Sequence, residues 1–122
     1  MCHGLAHLRA RVGDFDGARE ALDRYRSYYR DTGQTLSLLR SAEVVFDVEV
    51  LAGEAERACE VVEEAWQTLT GLGDRWAYLA AFLSQGRYAV GRYAEAQDAA
   101  SEAVESADAV ERALGLGVIA KV

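Results

Sequence analysis

The sequence of 122 residues has no proline, only two cysteines and no long apolar run. A transmembrane helix needs about 20 consecutive apolar residues, and no stretch of the sequence is that long. The charged and apolar segments of a secretory leader are also absent. Cys2 and Cys59 lie far apart with no disulfide framework around them, which indicates free thiols in a reducing compartment. We therefore expect a soluble, cytoplasmic protein.

The sequence also lacks the short motifs that most often carry catalysis. It contains no phosphate loop of the GxxxxGK(S/T) type, and no GxGxxG, GxSxG, HExxH or CxxC pattern. His3 and His7 have the four-residue spacing of zinc ligands on a helix, with Cys2 adjacent, but the sequence offers no preformed third ligand. We predict that the chain is not an enzyme and that it holds no cofactor and no metal.

The charge of the chain is acidic and unevenly distributed. The formal net charge is −7, with a net of +2 over residues 1–40 and of −9 over residues 41–122. An acidic body repels a phosphate backbone, which disfavours nucleic-acid binding. A protein partner with a basic surface fits this charge better.

What the sequence does contain is helical periodicity on both sides of a repeated break. In residues 55–69 small and aliphatic side chains recur at steps of three and four, which places them along one side of a helix. They are Ala55, Ala58, Val62, Ala65 and Leu69. The preceding stretch, residues 37–51, has the same spacing, so we predict a second helix there. The alternation of residues 46–50 leaves a strand as the alternative.

The break between these two stretches occurs three times in the chain. Its copies are VGDFDGA at 12–18, AGEAERA at 52–58 and VGRYAEA at 90–96. In each copy a glycine supplies a backbone conformation that a side chain would strain, and an alanine five residues later lets the next helix approach closely. The alanines Ala18, Ala58 and Ala96 are spaced by 40 and 38 residues, which is typical of solenoid repeats.

The segments GDFDGA, GEAERA and GRYAEA resemble the turn between the two helices of a tetratricopeptide repeat, and the resemblance covers almost the whole chain. The long period and the missing proline are similar to the long-helix repeats attached to bacterial signalling ATPases. More specifically, the run from GDFDGAREALDRYRSYYRDTG to DAVERALGLGVIAKV is similar to the C-terminal repeats of actinobacterial proteins. Those proteins join an adenylate/guanylate cyclase-like domain to a nucleotide-binding ATPase module.

This resemblance implies an all-α fold, an α-α superhelix with about seven antiparallel helices. We expect one domain over residues 1–122, as a fragment of a larger protein, with three helical pairs and a C-terminal helix. The pairs are expected at about 2–33, 36–71 and 75–107, and the last helix at about 109–121. We also expect Asp14 or Asp16 to cap the second helix and Asp74 to cap the fifth.

The resemblance also implies a site, because the first helix of each tetratricopeptide pair lines a concave groove. Carried over to this chain, the groove residues are His3, His7, Arg40, Glu43, Asp47, Tyr78, Gln85 and Tyr88. His7, Asp47 and Gln85 fall at equivalent positions, so we expect them to form one row with His7 opposite Asp47. The alternative is that these side chains are exposed and bind nothing.

The function implied is a non-catalytic interaction or scaffold module of a signalling ATPase or cyclase-linked regulator. Its partner would be a peptide, another domain or a second copy of the chain. An all-helical DNA-binding regulator is the alternative function, although the repeated turns and the acidic charge disfavour it. Four apolar residues of the last helix predict a homodimer: Leu114, Leu116, Val118 and Ile119.

Several other groups of residues are predicted to be structural. The tyrosines Tyr25, Tyr28 and Tyr29 are expected to complete the buried stripe of the second helix, and Cys59 is expected to be buried and inert. Two sets of charged side chains are expected to be solvated. They are the arginines Arg19, Arg26 and Arg30, and the carboxylates Glu54, Glu56, Glu60, Glu63 and Glu64.

Overall fold

The computed structural model describes the backbone of residues 2–118 and the side chains of residues 4–106. Within residues 2–118 every regular element is an α-helix, which confirms the all-α prediction. The helices are α1 (Cys2–Arg11), α2 (Phe15–Asp31), α3 (Thr35–Leu51), α4 (Ala55–Gly71), α5 (Ala77–Ala89) and α6 (Tyr93–Val118). The alternative of a strand at residues 46–50 is wrong, because α3 is helical throughout.

The first five helices end in the same hydrogen-bonded turn. At the end of α1, Gly13 has a φ of 87°, and the next amide, that of Asp14, donates to the carbonyl of Arg9 at 2.8 Å. This bond back to the last turn satisfies a carbonyl that the helix leaves free, and glycine takes the left-handed conformation without strain. The five glycines at this position are Gly13, Gly33, Gly53, Gly73 and Gly91.

The two predicted aspartate caps have different outcomes. Asp14 caps α2, because its carboxylate accepts a hydrogen bond of 3.0 Å from the amide of Gly17. Asp74 does not cap α5, which begins only at Ala77 after the extended residue Trp76. The carboxylate of Asp74 instead accepts from the adjacent amide of Arg75 at 2.8 Å.

The predicted end of the sixth helix near residue 107 is wrong. α6 runs without interruption to Val118, so residues 93–107 and 109–118 belong to one helix and the structure has six helices over residues 2–118 rather than seven. The sequence around 107 explains this, because SADAVERA contains no glycine or proline that would end a helix. The predicted continuation to residue 121 lies outside the described residues.

Helices that follow one another in the chain pack together, since the connections are turns of three or five residues. α1 packs with α2, α3 with α4, and α5 with α6. In addition, α1 contacts α3 and α3 contacts α5. The first helices of successive pairs therefore lie next to one another.

The buried side chains form two clusters. The first core cluster joins the first pair to α3 and is built of small residues: Ala6, Ala10, Ala18, Ala21, Leu22, Val44 and Val48. The second core cluster joins the second pair to α5 and α6 and contains larger side chains: Leu39, Ala42, Phe46, Ala58, Val62, Ala65, Leu69, Leu79, Leu83 and Ala99. α3 contributes to both clusters, so it links the two halves of the core.

The tyrosines of α2 are more exposed than predicted. Ala18, Ala21 and Leu22 are buried as expected, but Tyr28 is 56% exposed. Its ring contacts Tyr29 at a centroid distance of 6.1 Å. Tyr28 is not covered because the second core cluster is formed by α3, α4, α5 and α6 and includes no residue of α2.

None of the helices formed by the described residues is both long enough and apolar enough to cross a membrane.

Candidate partner-binding surface

The predicted groove residues lie on α1, α3 and α5, the three helices that pack side by side. His7 of α1 and Asp47 of α3 meet, with His7 Nε2 3.3 Å from Asp47 Oδ2. The predicted contact is thus confirmed. Both side chains are about 40% accessible to solvent, so this polar pair connects neighbouring helices at the surface rather than in the core.

Four side chains from α3 and the start of α5 form a second polar and aromatic group, here called the Arg40 cluster: Arg40, Glu43, Trp76 and Tyr78. The guanidinium carbon of Arg40 lies 5.9 Å from the centre of the Trp76 ring, within the range of a cation–π contact. The rings of Trp76 and Tyr78 stack at 5.6 Å with an interplanar angle of 16°. The predicted residues Arg40 and Tyr78 therefore share one surface with an unpredicted tryptophan.

The hydroxyl of Tyr78 responds to this environment. Partial burial raises the pKa of Tyr78 and the charge of Glu43 raises it further, while the charge and hydrogen bond of Arg40 act in the opposite direction. Tyr78 therefore keeps its proton at neutral pH and can donate a hydrogen bond. The cluster thus offers a cation, a hydroxyl and the exposed part of the Tyr78 ring within one patch.

Trp76 lies directly before α5. It is half-buried and packs against the second core cluster, while Arg40 covers its ring. The sequence feature that could have indicated this contact is the position of Trp76 directly before α5. An extended residue at the start of a helix can lie across the neighbouring helix. Only packing reveals that its ring joins two predicted site residues.

The remaining predicted groove residues do not join these groups. Gln85 is exposed on α5, at the position of the repeat that is equivalent to Asp47. Tyr88 is 67% exposed and its ring packs edge-on against Tyr93 of α6, with centroids 5.0 Å apart. Tyr88 thus belongs to the surface between α5 and α6 rather than to the Arg40 cluster. The side chain of His3 lies outside the described residues.

The arginines of α2 were predicted to be solvated, and two of them are not. Arg19 donates from Nη2 to Glu49 at 2.7 Å and from Nε at 3.1 Å, a two-bond contact to a carboxylate that is only 5% exposed. The hydrogen bond to Glu49 raises the pKa of Arg19. Arg26 donates to the hydroxyl of Ser41 at 2.6 Å, and burial lowers its pKa, as does the charge of Arg30. Both side chains fasten α2 to α3.

Glu63 is likewise not part of a solvated acidic face. Its carboxylate lies 3.1 Å from Arg87 Nε and 2.6 Å from Arg92 Nη1, which fastens α4 to α5 and to the turn before α6. Burial acts to raise the pKa of Glu63, but the hydrogen bond from Arg87 and the charges of both arginines outweigh it and lower the pKa. The other four carboxylates of the run are exposed as predicted.

Cys59 is buried beside this ion-pair group, as predicted. Burial raises the pKa of the Cys59 thiol, and the charge of Glu63 adds to the increase. A thiol held in its protonated form is a weak nucleophile, which agrees with the predicted inert role. Among the side chains of residues 4–106, histidine, cysteine and carboxylate groups form no cluster of three that could hold a metal ion.

The side chains predicted to mediate a homodimer, Leu114, Leu116, Val118 and Ile119, lie outside the described residues, as do the side chains of Cys2 and Ala107. Their role stays a prediction. The chain matches no protein-family model, no curated protein and no solved structure.

Proposed function

We propose that the chain is a non-catalytic protein-interaction module built of tetratricopeptide-like helical pairs, which would stack as a superhelix. Three repeated turns and the contacts of α1 with α3 and of α3 with α5 support this proposal. The observation that carries it is the Arg40 cluster. Arginine, tryptophan and tyrosine are the residue types that contribute most to binding at protein interfaces, and here all three meet at the surface.

The chemistry of the cluster indicates the kind of segment it binds. Arg40 presents a cation that pairs with a carboxylate, because a guanidinium matches the two oxygens of that group. The ring of Tyr78, which is 40% exposed and stacks on Trp76, offers apolar surface to an aliphatic or aromatic side chain. The partner is therefore a peptide segment, or a segment of another domain, that carries an acidic residue close to an apolar one.

The parent protein in this proposal is a bacterial signalling ATPase or cyclase-linked regulator, for which the chain provides the partner-binding part. The support is the resemblance of the three turns to such repeats. The acidic charge of residues 41–122 makes the alternative, a DNA-binding regulator, weaker. Fluorescence anisotropy with a random-sequence duplex tests that alternative, since salt-sensitive binding would favour it over a protein partner.

Selection from a random peptide library displayed on phage tests the binding proposal directly. We expect enriched peptides to combine a carboxylate with a large apolar residue. Their affinity should fall at least about tenfold for Arg40→Ala and for Tyr78→Ala, the loss expected for central interface residues. Arg57→Ala, an exposed arginine on α4, is the matched control. Peptides that bind Arg40→Ala and the unaltered protein equally well would contradict this site.

A further inference from the structure

The two ends of the helical array expose faces whose equivalents are buried inside it. Equivalent positions are those at the same distance in sequence from Gly13, Gly53 and Gly91, the glycines of the three repeated turns. Comparing them shows what each pair of helices offers to its neighbours.

α3 packs against an apolar face of the first pair. Ala18 and Leu22 of α2 are 0% and 2% exposed, and they belong to the same cluster as Val44 and Val48 of α3. Val48 is itself fully buried. α3 therefore inserts these valines between the helices of the pair that precedes it.

α5 packs against the corresponding face of the second pair. Ala58 and Val62 of α4, which are equivalent to Ala18 and Leu22, are buried in one cluster with Leu83 of α5, the equivalent of Val45. The helix that inserts is again the first helix of the following pair. The chain thus makes the same type of junction twice.

The third pair has the same face, here called the tail face, but no following helix covers it in the described residues. It is an open depression between α5 and α6, lined by Ser84, Tyr88, Tyr93, Ala96, Gln97 and Ala100. Ala96, the equivalent of Ala18 and Ala58, is buried within its own pair, but Ala100, the equivalent of the buried Leu22 and Val62, is exposed. Tyr93 is 63% exposed at its edge.

At the opposite end of the described residues, α1 carries the equivalent of the face that α3 inserts. This head face contains Leu5 and Leu8, which are equivalent to Val45 and Val48 of α3. Leu8 is 60% exposed, whereas Val48 is fully buried. Two leucines that would insert into a neighbouring pair are therefore left at the surface.

We propose that the head face of one copy of this chain inserts into the tail face of a second copy, so that copies associate head to tail and continue the internal packing. The charge of the two ends favours this occupant. α1 contains two arginines and no acidic residue, while α6 contains six acidic residues and one arginine. Because the two faces differ, the contact does not close on itself, and association yields a series of oligomers rather than a single dimer.

One polar contact of the internal junction has a counterpart in this arrangement. Arg9 donates to the carbonyl of Gly17 at 3.2 Å, as its equivalent Arg87 donates to the carbonyl of Glu95 at 3.1 Å. Arg87 also pairs with Glu63 of the preceding pair. In a head-to-tail contact Arg9 would face the position on α6 that is equivalent to Glu63.

That position is Ser101, which is exposed. Ser101→Glu would therefore supply the carboxylate that the internal junction has and the intermolecular one lacks. We expect this change to tighten association several-fold at low salt, and Arg9→Gln to remove the gain. A gain that persists in the Arg9→Gln background would overturn the assignment of these two faces to each other.

Complementary blocking variants test the proposal in the full chain. Sedimentation velocity over a concentration series should show an average mass that rises above the 13.3 kDa monomer. Leu8→Glu, which blocks the head, and Ala100→Glu, which blocks the tail, should each weaken self-association at least about tenfold. An equimolar mixture of the two variants should restore a complex of twice the monomer mass and nothing larger, because one free head and one free tail remain.

Three controls separate this arrangement from others. Leu72→Glu, at an exposed leucine in the turn after α4, should leave association unchanged, and circular dichroism verifies that every variant is folded. Trp76→Ala and Tyr78→Ala should also leave it unchanged, since the proposal does not depend on the Arg40 cluster. A monomer at every soluble concentration would overturn the proposal. So would association that Ile119→Glu abolishes while Leu8→Glu and Ala100→Glu do not.

Discussion

The two internal junctions, α2 with α3 and α4 with α5, join successive helical pairs through different side chains. The first is filled by small residues and held by the ion pair of Arg19 with Glu49. The second is filled by larger side chains and held by Glu63 with Arg87. Glu49 and Arg87 occupy equivalent positions, so the direction of the ion pair is reversed between the junctions.

The repeated pattern therefore fixes which helices pack together, while the side chains that form each junction differ. The first junction buries mainly alanine and valine, whereas the second also buries leucine and phenylalanine. The partners of Glu49 and Arg87 do not occupy equivalent positions, because Arg19 lies 6 residues after Gly13 and Glu63 lies 10 residues after Gly53, one helical turn further on.

Truncation of a buried side chain should give the largest difference in stability between the two junctions. Leu79→Ala in the second core cluster removes a fully buried leucine, and we expect a loss of about 3 kcal/mol in the free energy of unfolding. Val48→Ala in the first core cluster removes less volume, and about 2 kcal/mol is expected. Urea unfolding followed by circular dichroism measures both. Equal losses would mean that the first cluster tolerates cavities less well than its small residues suggest.

Removal of one arginine from each junction should have a smaller and unequal effect. Arg19→Met leaves Glu49 buried with no cationic partner, so we expect a loss of about 2–3 kcal/mol. Arg87→Met leaves Glu63 in contact with Arg92, and about 1 kcal/mol is expected. Methionine retains much of the aliphatic volume in both variants.

The same urea titrations measure these losses. Arg24→Met is the control, because Arg24 forms only an exposed pair with Glu20 on its own helix and should change stability little. A loss for Arg87→Met as large as that for Arg19→Met would show that Arg92 does not compensate.

The smallest effect concerns acid stability at the second junction. The pKa of Glu63 is lower in the folded chain than its ordinary value of 4.5, so the unfolded chain binds the proton first. Its stabilising contribution is then complete above about pH 4.5 and is lost as the pH falls through the folded-state pKa. For a partly exposed pair this contribution is at most about 1 kcal/mol.

Glu63→Gln should therefore flatten the loss of stability between pH 5 and pH 3, measured by urea unfolding at intervals across that range. Glu60→Gln, at an exposed position of the same helix, provides the matched comparison. The assignment fails if Glu60→Gln flattens the profile as much as Glu63→Gln does.

The sequence by itself determined where most of the helices lie. Five glycines set the ends of α1 to α5, because the left-handed residue after each helix strongly favours glycine. Asp14 marked the start of α2, and the spacing of 40 residues placed His7 opposite Asp47. The sequence missed two boundaries: the start of α5, which lies at Ala77 and is not capped by Asp74, and the predicted end near residue 107, where no glycine or proline interrupts the helical pattern.

Only the tertiary structure decided which side chains act as partners. Periodicity gives the side of a helix on which Arg19 or Glu63 lies, but not the charged group that the next pair brings to that side, 30 or 24 residues away. The exposure of Leu8 and of Ala100 was also decided by packing, because their buried equivalents have the same place in the repeat. A repeat sequence encodes each pair and its two faces, and the neighbours that are present determine which faces are covered.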